Sequence, residues 1–324
     1  MIRFDKSLNQ RFPLQFEVAN VTQVKLSVVV LAFGHEHTIL QCLESIAMQV
    51  TNFDYEVVVG LNDSADKTDL IVRDFTLKRE NWRCINLSRS EGTQTAGLST
   101  GAGNFYNCLR HVQGEYVCVV EGDDYLISQS RFQVQCDLLN LHPLWSGTMM
   151  PISVETEAGV IRDFRSMYQY DRVMRCNSSE LSSEDFIING CVIHLLGIMF
   201  RTNCLRLQDF YLKSAAQDHI LGLALTLSAP IGYVELEEMA VYRSYGGTFN
   251  TLSVHRNRVL SLAKWAVINA MIEPDMRVLA QSKFDGILTS LLQSIEMKQS
   301  RELSWSEIVA MVKRKIVRRV KFNR

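Results

Sequence analysis

The sequence lacks any paired-cysteine motif, any long apolar run and nearly all net charge. Its eight cysteines include no CxxC pair, which excludes a zinc knuckle or a dithiol redox centre of that spacing. Unpaired cysteines in apolar surroundings, with no export signal in the first 24 residues, predict small core residues in a protein of the reducing cytosol. No segment reaches the roughly 18 uninterrupted apolar residues of a membrane span, so we expect that the chain itself does not cross a membrane.

The near-neutral charge hides an asymmetry between the body of the chain and its end. The 34 basic and 35 acidic residues leave a net charge of -1, which argues against a generally basic nucleic-acid binder. Residues 313–324, however, contain seven basic residues and no acidic one. Residues 305–324 interleave apolar and basic residues, a pattern typical of an amphipathic helix on an anionic membrane surface. A solvated basic tail explains the same pattern, and the sequence leaves both interpretations open.

The N-terminal half alternates apolar, β-branched runs with segments of helical spacing. The runs Lys25–Phe33, Tyr55–Gly60 and Glu115–Val120 have the continuous apolar character of strands that are buried on both faces. A weaker strand candidate, Trp82–Leu87, follows a helix candidate, Asp69–Leu77. This alternation predicts an α/β fold, with a mixed, mostly parallel sheet flanked by helices.

The remainder of the chain is less regular and then mainly helical. Residues 151–185 have no clear period, whereas residues 217–227 and 255–297 have helical spacing. Ser130 is a candidate N-cap for the helix that follows it. We predict four parts: an N-terminal extension, an α/β half, a second, less regular half, and a helical C-terminal region that ends in the basic tail, at residues 1–24, 25–150, 151–254 and 255–324.

The sharpest chemical motif is EGDDYL, directly after the strand candidate Glu115–Val120. It places Glu121, Asp123 and Asp124 within four residues at the carboxyl end of a strand, where α/β sheets bind ligands. Hard cations such as Mg²⁺ prefer oxygen ligands, and Mg²⁺ commonly combines one or two carboxylates with substrate phosphates. Glycine and aspartate also favour plain turns, so the motif by itself fits either a metal site or a turn.

Four segments in order resemble the inverting, nucleotide-sugar-dependent glycosyltransferases of family 2, which have the GT-A fold. The resemblance runs from about residue 25 to residue 251. It is carried by the segments KLSVVVLAFGHEHTILQCLESIAMQ, YEVVVGLNDSADKT, GNFYNCLRHVQGEYVCVVEGDDYL and SAAQDHILGLALTLSAPIGYVELEEMAVYRSYGG. A single segment would be weak support, but four in the family's order indicate the family.

The resemblance implies a role for each matching residue. Asp123 and Asp124 would hold Mg²⁺ or Mn²⁺, with Glu121 in the first acidic position of the motif. Asp218 would be the general base, although an aspartate before an apolar helix is also a common N-cap. The other implied contacts are the nucleoside pocket of Phe33, His35, Glu36 and Asn62, the diphosphate side at Asn104, and the diphosphate or acceptor side at Arg243 and Tyr245.

The sequence departs from the family's pattern at several positions. Leu31 replaces a proline, and Leu61 and Asn62 replace residues that are usually acidic in the nucleoside-binding loop. Gln217 stands where an acidic or small residue usually precedes the base. These changes bear on the identity of the donor more than on the reaction. No QxxRW motif is present, which argues against a processive polysaccharide synthase.

The expected function is metal-dependent, inverting transfer of a sugar, with a UDP-sugar as the favoured donor. The acceptor would be a saccharide or a lipid-linked saccharide in bacterial surface polysaccharide assembly, and the location the cytoplasm or the inner face of the cell membrane. Two alternatives stay open. A sugar-1-phosphate nucleotidyltransferase should have Lys or Arg after the first strand, where this chain has GHEH. A non-catalytic binding protein on the same fold would tolerate the altered Asn62.

Overall fold

The computed structural model describes residues 24–87, 94–95, 98–99, 101–176, 178–205, 217–245 and 254–296. Within them the strands are, in chain order, β1 (Leu26–Ala32), β2 (Tyr55–Leu61), β3 (Trp82–Asn86), β4 (Gln94–Thr95), β5 (Leu98–Ser99), β6 (Tyr116–Glu121), β7 (Tyr125–Leu126), β8 (Gly147–Met149), β9 (Ser153–Glu155), β10 (Ile161–Arg162), β11 (Glu180–Leu181), β12 (Ile198–Arg201), β13 (Ile231–Tyr233) and β14 (Ala240–Arg243). The helices are α1 (Ile39–Ala47), α2 (Thr68–Thr76), α3 (Ala102–Leu109), α4 (Arg131–Leu141), α5 (Tyr168–Val173), α6 (Ser183–Ile188), α7 (Gln217–Thr226), α8 (Val254–Met271) and α9 (Pro274–Glu296).

Eight strands form the central sheet, in the order β11-β13-β8-β12-β6-β1-β2-β3. Strands β6, β1, β2 and β3 are parallel to one another, whereas β12 is antiparallel to both β6 and β8. The predicted mixed, mostly parallel α/β sheet is therefore confirmed. Val30 of β1 lies between Val59 of β2 and Val120 of β6. This register brings the carboxyl ends of the three strands to one edge, where the polar loops follow.

Helices cover the parallel part of the sheet because their apolar positions recur on one face. In α1 the buried residues are Ile39, Cys42, Leu43, Ser45 and Ile46. Helix α3 lies so close to β2 that a Cβ at Gly60 would come within 2.5 Å of Cys108 Sγ. The glycine therefore permits a tight approach of α3 to the sheet. All eight cysteines are free, and five of them are buried, which confirms their prediction as small core residues.

A second sheet of four strands, in the order β10-β9-β14-β7, is a feature that the sequence did not predict. Strand β14 is antiparallel to β7 and parallel to β9. Because β7 directly follows the EGDD turn, this small sheet brings the distant segment 240–243 against that turn. The sheet therefore helps to fix the backbone of the acidic motif.

The structure corrects several local predictions. The short paired strands β4 and β5, which precede α3, were not predicted from the sequence. Ser130 precedes α4, but its side chain makes no capping hydrogen bond. The helical region 255–297 is divided into α8 and α9, and Pro274 occupies the first position of α9, where its missing N–H costs nothing. Among the residues with described positions, no helix is both long and apolar enough to span a bilayer.

Candidate active site

Two strand-end loops are tied together by hydrogen bonds. The His35 amide after β1 donates to Thr68 Oγ1 at 2.8 Å, and the Glu36 amide donates to Asp66 Oδ2 at 3.1 Å. In the reverse direction, the Lys67 amide donates to Glu36 Oε2 at 3.1 Å. The segments predicted to form the nucleoside pocket are thus adjacent. The Glu36 carboxylate, predicted to line that pocket, is already occupied in bracing the two loops.

Phe33 and Asn62 stand at the ends of β1 and β2, at the mouth of these loops. The Phe33 side chain is 40% exposed. Asn62 is buried, and its side-chain oxygen has no hydrogen-bond partner among the described residues. A buried amide oxygen without a partner is costly, so a donor N–H from a ligand would be favoured there.

The turn after β6 is packed against the loop after β1. The Gly122 amide donates to the Leu31 carbonyl at 2.9 Å. A Cβ at Gly122 would come 2.5 Å from His35 Nδ1 and 3.2 Å from the Leu31 oxygen, so only glycine fits. As a result, His35 Nε2 lies 3.8 Å from Asp123 Oδ1, with side chains that are 21% and 23% exposed. The structure therefore brings His35 and Asp123 together at an accessible position.

Asp124 has a different environment from that of Asp123. It is completely buried, and its Oδ1 accepts the Arg243 amide at 2.9 Å. Burial, together with the charges of Asp123 and Glu121, raises the pKa of Asp124 well above its ordinary value. The assignment of Asp124 as a metal ligand stays a prediction: its buried Oδ2 has no hydrogen-bond partner among the described residues. Its carboxyl fastens β14 to the acidic turn.

The acidic turn suits a metal ion that is shared with a ligand. Asp123 offers one accessible carboxylate, and the part of the chain with described positions contains no group of three His, Cys, Asp or Glu residues arranged to hold an ion. Mg²⁺ usually binds through one or two carboxylates and completes its shell with waters and phosphates. The residues present therefore fit a cation held by Asp123 and a diphosphate, and do not form an all-protein cage.

Glu121 at the end of β6 and Asp218 in the acceptor-side helix α7 influence each other electrostatically. Burial raises the pKa of Glu121 to about 8, and the nearby carboxylates of Asp123 and Asp218 add to this rise. Asp218 therefore lies close to the acidic turn although it is distant in sequence. The structure brings together the predicted base and the predicted donor-binding turn.

The Asp218 carboxylate is half-buried in the first turn of α7. Its Oδ1 accepts the amide of the next residue, His219, at 3.1 Å, which differs from an N-cap bond to a residue two or three positions later. Burial raises the pKa of Asp218, and the His219 amide and the charges of Lys264 and Arg172 partly offset this rise. A carboxylate with a raised pKa has the chemical properties of a general base.

Arg243 holds the acidic turn from behind. Its guanidinium donates to the Asp123 carbonyl and to Gln41 Oε1, and its Nε lies 3.3 Å from Glu155 Oε2. The guanidinium also stacks on the Tyr125 ring at 4.5 Å. The side chain is only 8% exposed. In this structure Arg243 thus binds partners within the protein, and its contact with the diphosphate or acceptor stays a prediction.

Glu155 is a site residue that the sequence did not reveal. Tyr245 donates to its Oε1 at 3.0 Å, and Tyr125 donates to its Oε2 at 3.2 Å. Tyr245, predicted near the donor or acceptor, is therefore also bound within the protein. Glu155 lies in the irregular stretch 151–185, where no period or motif marks it.

Replacing Glu155 by Gln should destabilise the fold. The substitution keeps the side-chain volume but removes the charge that faces Arg243. It also places an amide NH₂, which is a donor, against one of the tyrosine hydroxyls that donate to the wild-type carboxylate. We expect a loss of about 1–3 kcal/mol in the free energy of unfolding, measured by urea denaturation. Glu157→Gln, two residues further along and exposed, is the matched control. Equal stability of the two variants would contradict the role of Glu155.

Asn104 supports the sheet from the side of α3. It is buried, and its Nδ2 donates to the Gly60 carbonyl at 2.8 Å. Asn104, which was predicted to lie behind the diphosphate, thus links α3 to β2 through this hydrogen bond.

Comparisons with known proteins agree with this geometry. Residues 27–175 match the profile described as Glycosyl transferase family 2. An uncharacterised protein of Mycobacterium tuberculosis is 30% identical over 134 residues, which cover 41% of this chain and 37% of that protein. The poly(ribitol-phosphate) beta-glucosyltransferase of Bacillus spizizenii is 27% identical over 108 residues, 33% of this chain and 16% of that enzyme. The alignments thus span less than two-fifths of these relatives.

Two solved structures have the same fold at low sequence identity. The structure of S. aureus TarS 1-349 in complex with UDP-GlcNAc has a TM-score of 0.58 and 20% identity, over 86% of this chain and 77% of that one. The mannosyltransferase PcManGT of Pyrobaculum calidifontis, in complex with GDP-Man and Mn²⁺, has a TM-score of 0.55 and 14% identity, over 93% and 83%. These likenesses establish the GT-A glycosyltransferase fold.

Proposed function

We propose that this chain, whose residues 27–175 match the profile of glycosyltransferase family 2, is a glycosyltransferase of that family and carries out metal-dependent, inverting transfer of one sugar. The donor is a nucleotide diphosphate sugar, and the acceptor is a hydroxyl group. The observation that carries the proposal is the convergence of Asp123, Glu121 and Asp218, which come from β6 and from the distant helix α7. This reaction requires a carboxylate near the diphosphate and a base near the acceptor hydroxyl.

The nucleoside binds between the loops after β1 and β2. Phe33 offers an exposed ring for stacking, and the buried Asn62 oxygen accepts an N–H of the base. Both uracil and guanine have such an N–H group. A UDP-sugar is our favoured donor, and the two solved neighbours that contain UDP-GlcNAc and GDP-Man are consistent with either nucleotide.

The diphosphate lies at the acidic turn, beside Asp123 and His35. Arg243 and Asp124 stabilise this turn from within the protein, so that Asp123 keeps its position before a ligand binds. When bound there, Mg²⁺ or Mn²⁺ would neutralise charge on the departing diphosphate. Glu121, whose pKa burial raises to about 8, lies at the end of the same strand and contacts the nucleotide sugar.

Asp218 performs the proton transfer. It takes the proton of the acceptor hydroxyl as that oxygen attacks the anomeric carbon from the face opposite the diphosphate. One C–O bond forms as the C–O bond to the diphosphate breaks, and the electron pair of the broken bond leaves with the phosphate oxygen. Attack from the opposite face inverts the anomeric configuration. The proton on Asp218 is then released to solvent.

The setting that we propose is bacterial surface polysaccharide assembly, with a hexosyl or N-acetylhexosaminyl group transferred to a saccharide or lipid-linked saccharide. The name of the B. spizizenii relative, a poly(ribitol-phosphate) beta-glucosyltransferase, supports a surface glycan. The enzyme would work in the cytoplasm, at the inner face of the cell membrane.

Deletion of residues 305–324 tests the membrane part of this proposal. This segment lies outside the described residues, and its seven basic residues would each contribute about 1 kcal/mol close to an anionic surface. We expect the deletion to abolish sedimentation with anionic liposomes at low salt. Neutral liposomes serve as the control. Equal sedimentation of the full chain and the deletion variant would exclude the tail as a membrane anchor.

A thermal-shift screen of nucleotide diphosphates tests the donor proposal. A ligand at one hundred times its Kd stabilises the native state by about 2.7 kcal/mol. We expect UDP or GDP to raise the melting temperature by several degrees, and to do so more strongly with Mn²⁺. If no nucleotide shifts the melting temperature, a non-catalytic binding role on this fold becomes the better account.

A further inference from the structure

The backbone of His35 is fixed between the loop after β2 and the start of helix α1. Its amide donates to Thr68 Oγ1 at 2.8 Å, and its carbonyl accepts the amides of Thr38 at 3.0 Å and Ile39 at 2.8 Å. Both backbone polar groups of His35 are therefore paired, and the imidazole projects from a rigid support. A polar group on such a support can act on a ligand without first rearranging.

One edge of the imidazole is closed by Gly122. The His35 Nδ1 atom is buried and has no hydrogen-bond partner among the residues with described positions. A Cβ at Gly122 would stand 2.5 Å from Nδ1, and in glycine an α-hydrogen occupies that direction. A C–H group therefore faces Nδ1. It can approach a lone pair on this nitrogen, but it cannot accept a hydrogen bond from an N–H.

The surroundings of Nδ1 decide which ring nitrogen carries the proton. A neutral imidazole has one N–H and one lone pair. An N–H at Nδ1 would be buried, unpaired and directed against the α-hydrogen of Gly122, and buried N–H groups without a partner are rarer in native proteins than acceptors without one. The proton is therefore favoured on Nε2. In this tautomer Nε2 is a hydrogen-bond donor and not a metal ligand.

The Nε2 edge of the ring faces the acidic turn. Nε2 lies 3.8 Å from Asp123 Oδ1, which is beyond hydrogen-bond distance. The His35 side chain is partly exposed although Nδ1 is buried, so its accessible surface lies on the remainder of the ring. The structure thus sets a donor N–H beside the accessible carboxylate of Asp123. An oxyanion at this position can accept from His35 while a cation bound by Asp123 neutralises its charge.

We propose that His35 donates a hydrogen bond from Nε2–H to the diphosphate of the nucleotide sugar and stabilises it as the leaving group. This inference rests on the proposed glycosyl transfer. Negative charge builds up on the diphosphate as the anomeric C–O bond breaks, so a fixed N–H donor stabilises the transition state more than the ground state. The role at the diphosphate differs from the position in the nucleoside pocket that the family resemblance implies for His35.

The test compares UDP with uridine, which share the base and the ribose and differ in the diphosphate. Dissociation constants are measured with Mn²⁺ and with a chelator at about pH 8, where an ordinary histidine is neutral. GDP and guanosine replace this pair if the wild type prefers them. We expect His35→Leu to raise the Kd of the diphosphate about tenfold in both conditions, and that of the nucleoside less than about twofold. His37→Leu, in the same loop but with a side chain that is 90% exposed, is the matched control and should keep both values.

The variant His35→Gln separates a hydrogen-bond donor from a metal ligand. The glutamine amide can present an N–H near the position of Nε2, but its nitrogen has no lone pair free for a metal ion. This variant should therefore keep the Kd of UDP within about threefold of wild type. Nitrogen NMR of the ¹⁵N-labelled wild type is a second readout, which does not depend on the folding of His35→Leu. The ring signals that are missing from His35→Gln identify His35, and we expect Nδ1 to be unprotonated and Nε2 to be protonated.

Several results would overturn the inference. Equal losses of UDP and uridine binding in His35→Leu would place His35 in the nucleoside pocket. A loss that appears only with Mn²⁺, and that His35→Gln shares, would make His35 a metal ligand. A protonated Nδ1, or unchanged UDP binding by His35→Leu, would reject the hydrogen bond and leave the proposed transfer intact. A wild type that binds no nucleotide would reject the proposed function itself, and this is known before any variant is compared.

Discussion

The variant Asp218→Asn should lose sugar transfer by a factor of about 10²–10⁴, the usual contribution of general acid–base catalysis. The amide cannot accept the proton of the acceptor hydroxyl. It keeps the volume of the carboxylate and an oxygen that accepts the His219 amide, now 3.1 Å away, so the fold of α7 should be preserved. Binding of nucleotide diphosphate, which uses the opposite side of the site, should remain within about twofold of wild type.

The same residue predicts how the rate depends on pH. Because burial raises the pKa of Asp218, the ionised base is lost at a higher pH than for an ordinary aspartate. The rate should therefore fall as the pH drops through this raised value and should level off above it. Asp137→Asn, on the exposed side of α4, is the matched control. Retention of a tenth of the wild-type transfer by Asp218→Asn would contradict the assignment of the base.

The variant Asp123→Asn should lose the dependence of nucleotide binding on Mn²⁺, and its transfer should fall by a factor of about 100. Asp123 offers the accessible carboxylate of the acidic turn, 3.8 Å from His35. An amide is a much weaker ligand for a hard cation than a carboxylate. The measurement is the shift in melting temperature caused by nucleotide diphosphate, with Mn²⁺ and with a chelator.

Asp124→Asn is the informative control, because the two aspartates are neighbours in the sequence. Asp124 is fully buried and accepts the Arg243 amide, which an asparagine oxygen also accepts. We therefore expect Asp124→Asn to retain the response to Mn²⁺. If Asp124→Asn loses this response and Asp123→Asn keeps it, the two residues have been assigned in the wrong order.

The parallel part of the fold follows from local patterns that a sequence displays. Continuous apolar runs such as residues 25–33 and 55–60 predicted β1 and β2 because strands buried on both faces have no polar alternation. The antiparallel strand β12 and the four-stranded sheet have no such pattern. Their strands have only two to four residues, and their pairing depends on contacts between segments far apart in the chain.

The site was predictable as a set of segments, but the direction of each side chain was not. The motifs placed His35, Asp123 and Asp218 in one region, and in the structure His35 lies 3.8 Å from Asp123. Arg243 lies in the same region, but its guanidinium binds partners within the protein. This arrangement depends on the burial of the side chain, which no motif encodes.

The measurement that tests the account most directly is the release of nucleotide diphosphate from a panel of UDP- and GDP-sugars in the presence of Mn²⁺. Wild type and Asp218→Asn are compared after both have been shown to bind nucleotide. We predict release by the wild type from one donor of the panel, increased by an acceptor, and background release by Asp218→Asn. Equal release by the two proteins, or binding without release by the wild type from every donor, would contradict the proposed transfer.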